Sequence, residues 1–198
     1  MLIVRNFCVI LALPPTGQML FMENLNHWQQ LAYCATLAER SFPNYALFAS
    51  LSKDADAPFM RRALNKVWEY LRGQLKSLKN IENQLLEMEH KIPDPEQFEG
   101  FGVYPALDTS LAIQSCLMAI IDHSITDAED ISALMWARLN EVIDLQGEDG
   151  GLTDRHIGFE ADIKTILASQ ISHADAVKKL QQLAKEDGYS HIGVGLDE

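Results

Sequence analysis

Cysteine is scarce in this chain: three residues, Cys8, Cys34 and Cys116, widely spaced. An odd, dispersed set makes no disulfide framework, and with no C-x-x-C pair the zinc-knuckle and thioredoxin-like readings lose their ligands. Buried thiols and a reducing, cytoplasmic setting are expected instead. Seven prolines and eleven glycines are too few for a collagen-like or low-complexity chain. Basic residues are also short. Sixteen Lys and Arg against 28 Asp and Glu leave a net charge of −12, so general nucleic-acid binding, which neutralises phosphates with a Lys/Arg excess, is not expected. The N-terminal apolar run Phe7–Leu13 is far below the ~20 residues of a membrane span, and no membrane association is expected. No G-x-S-x-G elbow occurs, and no glycine-rich loop follows a strand, which removes the hydrolase, P-loop and dinucleotide fingerprints.

What is present is apolar material in helical rhythm. The chain has 198 residues, 47% of them hydrophobic, enough for one domain with a buried core. Residues 1–22 read as an N-terminal arm, with Met19 and Met22 as alternative starts, and 23–198 as a single all-helical domain. Strand alternation is nearly absent. The pattern predicts an all-α, mostly antiparallel up-and-down bundle of seven to eight helices. A first helix is expected over about Glu23–Arg40, stopped at Phe42-Pro43, with a short second helix through Leu51. Pro58 opens a third, in which Met60, Leu64, Val67, Trp68, Leu71, Leu75 and Leu78 share one arc. Gly73 is a candidate kink, and a continuation or a fourth helix reaches about Lys91. Thr109–Ile121 carries no charge and predicts a central helix covered by the others. Thr126-Asp127-Ala128-Glu129 is an S/T-x-x-E start signal for the next. Two further helices, about Asp154–Gln170 and Ser172–Lys185, precede Gly188 and an extended tail over His191–Leu196.

Charge is unevenly placed. Residues 1–99 have a net charge of −1 and residues 100–198 of −11. Arg61, Arg62 and Lys66 begin a basic helix face, a candidate anion patch. The acidic stretch 122–162 would suit a basic protein partner. Both also read as solvated helix faces that compensate each other.

Glu87-x-x-His90 has di-iron spacing but lacks the second motif such sites require. His156 and Glu160 are four apart, and Asp122-His123 with Asp127 closes the central helix. These groups suit either a divalent metal or an i,i+4 pair and a helix-end histidine; the second is favoured, and no metal or other cofactor is expected. Cys116 with His123 reads as a buried inert thiol on a core helix, and Asp144–Asp154 lacks the spacing of a calcium loop. At the first helix corner Glu39, Arg40, Asn44 and Tyr45 gather a charge pair, an amide and a phenol, where Arg40 offers a bidentate clamp for a carboxylate or phosphate. Asp108 sits just after Tyr104-Pro105.

Four segments recur in a familiar order: Trp28-Gln29; Ala38-Glu39-Arg40 with Pro43-Asn44-Tyr45; Phe101-Gly102-Val103-Tyr104-Pro105-Ala106-Leu107-Asp108; and Gly188 with Ser190-His191-Ile192-Gly193. In these the chain resembles the YjaG-like family, a bacterial family of unknown function, over about residues 24–195. The resemblance implies a compact all-helical cytoplasmic domain and no established activity. Its motif positions suggest a ligand-binding set of Glu39, Arg40, Asn44, Tyr45, Tyr104 and Asp108, with Arg40, Tyr45, Tyr104 and Asp108 converging. The leading expectation is a non-catalytic binding or interaction protein, as a single chain or a homodimer. The alternative is an anionic-ligand binding protein or enzyme centred on Arg40 and Asp108.

Overall fold

The computed structural model describes residues 21–22, 24–53, 55–75, 77–124 and 127–195; of the expected arm over 1–22, residues 1–20 lie outside them. Asn26 opens the first helix, α1 (His27–Leu51), with a reciprocal cap. Its side chain accepts from the Gln29 amide at 3.2 Å, and Gln29 accepts from the Asn26 amide at 3.0 Å, which satisfies donors at the helix start. The expected stop at Phe42-Pro43 does not occur. Pro43 lies inside α1, and the two expected helices are one. Proline removes one backbone bond and crowds the preceding turn. Here the flanking residues Phe42, Asn44 and Tyr45 are buried and Ser41 O accepts from the Thr109 hydroxyl at 3.0 Å, so tertiary packing overrides the local preference.

Helix α2 (Ala57–Leu71) is capped by Asp56, which accepts from the Phe59 amide at 2.8 Å. Its buried stripe is Phe59, Met60, Ala63, Leu64, Val67, Trp68 and Leu71. The expected stripe ran on to Leu78, but the helix ends sooner. Gly73 adopts φ +68° and folds the chain back, its amide donating to Tyr70 O at 2.8 Å, a left-handed helix stop that favours glycine. Leu78 is exposed. Helix α3 (Lys79–Met88) and a 3-10 turn at Pro95–Gln97 follow.

Helix α4 (Val103–Ile121) is the centre of the fold, packed against α1, α2 and α3. Ala106, Ala112, Ile113, Cys116, Leu117 and Ile120 are buried along it. It is long and apolar enough to cross a membrane by length and composition; here most of it is buried against other helices, with Met118 and Ile121 exposed. Thr109 and Ser110 bond back to carbonyls one turn earlier, at 2.9 Å each. Helices α5 (Ala128–Gln146), α6 (Leu152–Ala168) and α7 (His173–Glu186) complete an all-α bundle of seven helices among the described residues. Thr126 of the expected start signal lies outside those residues. Asp127 precedes α5 and accepts from Ser115 Oγ at 2.7 Å.

The tail is not an extended strand. After Gly188 the chain makes a closed turn: the Ser190 amide donates to Val194 O at 2.8 Å, and Tyr189 and Gly195 form an isolated antiparallel bridge. Ile192 is driven into a small apolar cluster with Leu139, Val142 and Leu152. Leu196 lies outside the described residues.

Candidate functional site

Two charges side by side on α1, Glu39 and Arg40, are both 3% exposed. Glu39 is fully engaged. Its carboxylate accepts from Arg61 Nη1 at 2.6 Å and Trp68 Nε1 at 2.8 Å, with Lys185 Nζ at 3.5 Å. Arg61, expected in an anion patch, turns inward over the Phe42 ring at 3.6 Å. Lys66 pairs with Glu69 at 2.7 Å, and Arg62 lies over the Phe59 ring.

Arg40 is engaged only in part. One Nη donates to the half-exposed Asp187 at 2.8 Å, and the guanidinium stacks over Phe159 at 4.3 Å. Its Nε has no hydrogen-bond partner. Near it lie two buried histidines from distant parts of the chain. His156 of α6 is 1% exposed and His191 of the C-terminal turn 4%; their rings are 5.9 Å apart. Neither ring nitrogen of either residue has a hydrogen-bond partner. Burial pushes His156 down to about 4, with nearby Arg40 acting in the same direction and Glu160 against it. Burial also holds His191 well below the usual value, helped by His156, Arg40 and Arg138. Both rings are therefore neutral near pH 7, each with one donor and one acceptor.

Glu160 sits one helical turn from His156, with Nε2 to Oε1 at 3.8 Å, the i,i+4 arrangement read from the sequence. Its carboxylate accepts from Ser132 at 2.7 Å and Trp136 at 3.4 Å, and Trp136 meets the His156 ring edge-on at 4.6 Å. Asp108 does not stand free for a ligand. Arg138 Nε and Nη2 reach its two oxygens at 2.6 and 3.3 Å. Burial raises the Asp108 carboxyl, and the Arg138 hydrogen bond works against that shift. Arg138 also bonds Glu141 and lies 5.2 Å from the Tyr104 ring centroid.

Of the expected converging set, Tyr104 and Asp108 thus meet at Arg138, while Arg40 shares with Arg138 only an electrostatic influence on the buried His191. Tyr45 serves another place. Its hydroxyl donates to Lys91 O at 2.8 Å and accepts from the Asp56 amide at 3.2 Å, tying down the loop beside a cavity of about 360 Å³ lined by Phe48, His90, Lys91 and Phe98. Asn44 is 3% exposed, and neither atom of its amide has a hydrogen-bond partner; it lies one turn along α1 from Arg40, on the same side. Cys116 meets Cys34, and that contact and burial hold its thiol well above the usual range. His123 stacks on His27 at 4.2 Å and bonds the Tyr70 hydroxyl at 3.0 Å. Among the described residues no three His, Cys, Asp or Glu side chains are placed to hold a metal ion.

Sequence reasoning did not single out Arg138, His191 or Asp187 as site residues. A signal for Arg138 exists: it is the sole Lys or Arg between Asp122 and Asp154, which makes it the one cation of that stretch available to the buried Asp108.

The segments around Arg40, Asp108 and His191 are three of the four that carried the family likeness. A family model described as a protein of unknown function, DUF416, matches residues 19–195. The chain belongs to that family, and its YjaG-like character is shown by its relatives. It is 32% identical to an uncharacterized protein of Haemophilus influenzae, over 87% of this chain and 94% of the relative. It is 28% identical to the uncharacterized protein YjaG of Escherichia coli K12, over 87% and 93%. The crystal structure of a DUF416 family protein from Shewanella baltica OS155 superposes with a TM-score of 0.80 at 26% identity, covering 92% of this chain and all of that one.

Proposed function

We propose that this is a non-catalytic binding protein that takes a small polar ligand at the cluster of Arg40, His156 and His191. One observation carries the reading: buried hydrogen-bonding atoms of all three residues lack partners. A buried polar atom left unpaired costs about 1–3 kcal/mol, so native folds rarely keep several together without a use for them. Binding is favoured over catalysis by the partners of the neighbouring groups. Glu160 already accepts from Ser132 and Trp136, and Asp108 from Arg138, so these two carboxylates serve as fixed acceptors rather than as bases held ready for a substrate proton.

The C-terminal turn supplies His191 and closes the cluster, so ligand entry requires that turn to lift. Native mass spectrometry of the untagged protein, purified from its own host, tests the reading. The expected spectrum shows a small adduct that disappears in Arg40→Met. A bare chain in both, or an adduct that Arg40→Met retains, overturns it.

A further inference from the structure

Resting on that reading, we infer that the ligand is neutral and presents hydrogen-bond acceptors and donors side by side, as a primary amide or a urea does, to Arg40 Nε and the rings of His156 and His191. The charge pairing rules on the alternatives. Arg40 already holds Asp187, and Arg138 already holds Asp108 through two bonds. Glu160 adds a further carboxylate, satisfied by the uncharged donors Ser132 and Trp136. An anion entering here would be one more buried negative charge beside two buried cations, Arg40 and Arg138, that already hold carboxylates, and desolvation makes such charges costly. A cation fails differently, because it offers no acceptor to Arg40 Nε, which can only donate.

The unpartnered atoms themselves are mixed. Arg40 Nε donates, and each histidine ring presents one donor and one acceptor. Asn44, one turn along α1, has the same dual character in its unpartnered amide. A ligand with only acceptors leaves the ring acceptors unpaired; a ligand with only donors leaves Arg40 unpaired. The site thus selects by hydrogen-bond pattern rather than by charge, the kind of recognition that rejects analogues lacking one group most strongly.

Formamide and formate are nearly isosteric and differ in charge and in donors, so they separate the cases. Imidazole ¹⁵N resonances of the full-length protein would be followed at about pH 7.5 while each is titrated, with His156→Gln and His191→Gln for assignment. The expected result is saturable movement of both rings with formamide, with Kd on the order of 1–10 mM for so small a probe, and no saturable movement with formate. Asn44→Ala should weaken formamide about fivefold while leaving the backbone amide spectrum folded. Saturation by formate instead overturns the neutral class and leaves the site reading standing. Rings that respond to neither probe, with cross-peaks from their N–H groups to water, make the cluster a hydrated structural feature and overturn both.

Discussion

Glu39 and Arg40 are adjacent, equally buried and on one helix, yet the molecule treats them differently. On the Glu39 side two helices contribute donors: Arg61 and Trp68 from α2, Lys185 from α7. On the Arg40 side the guanidinium pairs with half-exposed Asp187, and neighbouring polar atoms are left unpaired. A saturated buried charge is a structural fixture, because nothing is left over for a ligand. An unsaturated one, ringed by neutral histidines, retains hydrogen-bonding capacity that folding did not use. Such partly satisfied networks carry a stability cost, and function is a reason to keep them.

The sharpest way to break this comparison is to delete each charge. Glu39→Ala leaves the buried Trp68 Nε1 without its acceptor and Arg61 without its partner. Breaking a buried pair in this way costs about 3–5 kcal/mol, near the lower end here because Arg61 is partly exposed and Lys185 more so. Arg40→Met releases Asp187 to water and keeps an apolar stem over Phe159, so about 1–2 kcal/mol is expected. Urea unfolding at matched m-values measures both. Equal losses would show that the two charges serve the same structural purpose.

Acid should act on one side only. His156 titrates at about 4 when folded, against 6.5 for the free ring. Between those values the unfolded chain binds the extra proton, so stability is full above about pH 6.5 and falls as pH drops toward 4. That span corresponds to roughly 3 kcal/mol from His156, and His191 shifts in the same direction. Asp108, raised by burial, acts oppositely just above the ordinary carboxylate range, where the folded state takes the proton first. His156→Phe should flatten the decline between about pH 6.5 and 5. Glu39→Ala should lower the whole curve and keep its slope there. A slope unchanged by His156→Phe would mean that this ring is not held neutral by the fold.

The fold was legible where local pattern and packing agree. The charge-free run Thr109–Ile121 marked the central helix, α5 begins within a few residues of its start signal, and α6 and α7 begin and end within a few residues of their sequence expectations. It was illegible where they conflict. Pro43 looks like a stop and is carried through because its neighbours are buried, whereas Gly73 looks like a kink and ends the helix by turning left-handed. For the site, Arg40 and Asp108 stood out as polar residues at helix corners. Their partners did not, since Asp187 is 147 positions from Arg40 and Arg138 is 30 from Asp108. Side-chain pairing across such separations is decided by how whole helices dock, which no local spacing encodes.

The smallest expected effect concerns the piece that joins the two ends of the cluster. Gly193 adopts φ +85°, and its amide donates to Ser190 O at 3.0 Å, which closes the turn carrying His191. A Cβ there would meet Leu152 Cδ2 at 3.5 Å, an ordinary contact, so the penalty of Gly193→Ala is the left-handed backbone itself, about 1–2 kcal/mol. Ile192 remains anchored against Leu139, Val142 and Leu152, so the chain should stay folded. What should change is the local opening of the turn. Amide hydrogen exchange at Ile192 to Val194 should speed by roughly fivefold or more, as a loss of this size implies for a unit that opens separately. Exchange at Trp68 and Val67, on the Glu39 side, should change less. If exchange rises equally at both places, the turn opens only with the whole domain; the Arg40 side then has no door of its own, and the contrast between the two charges reduces to a difference in packing.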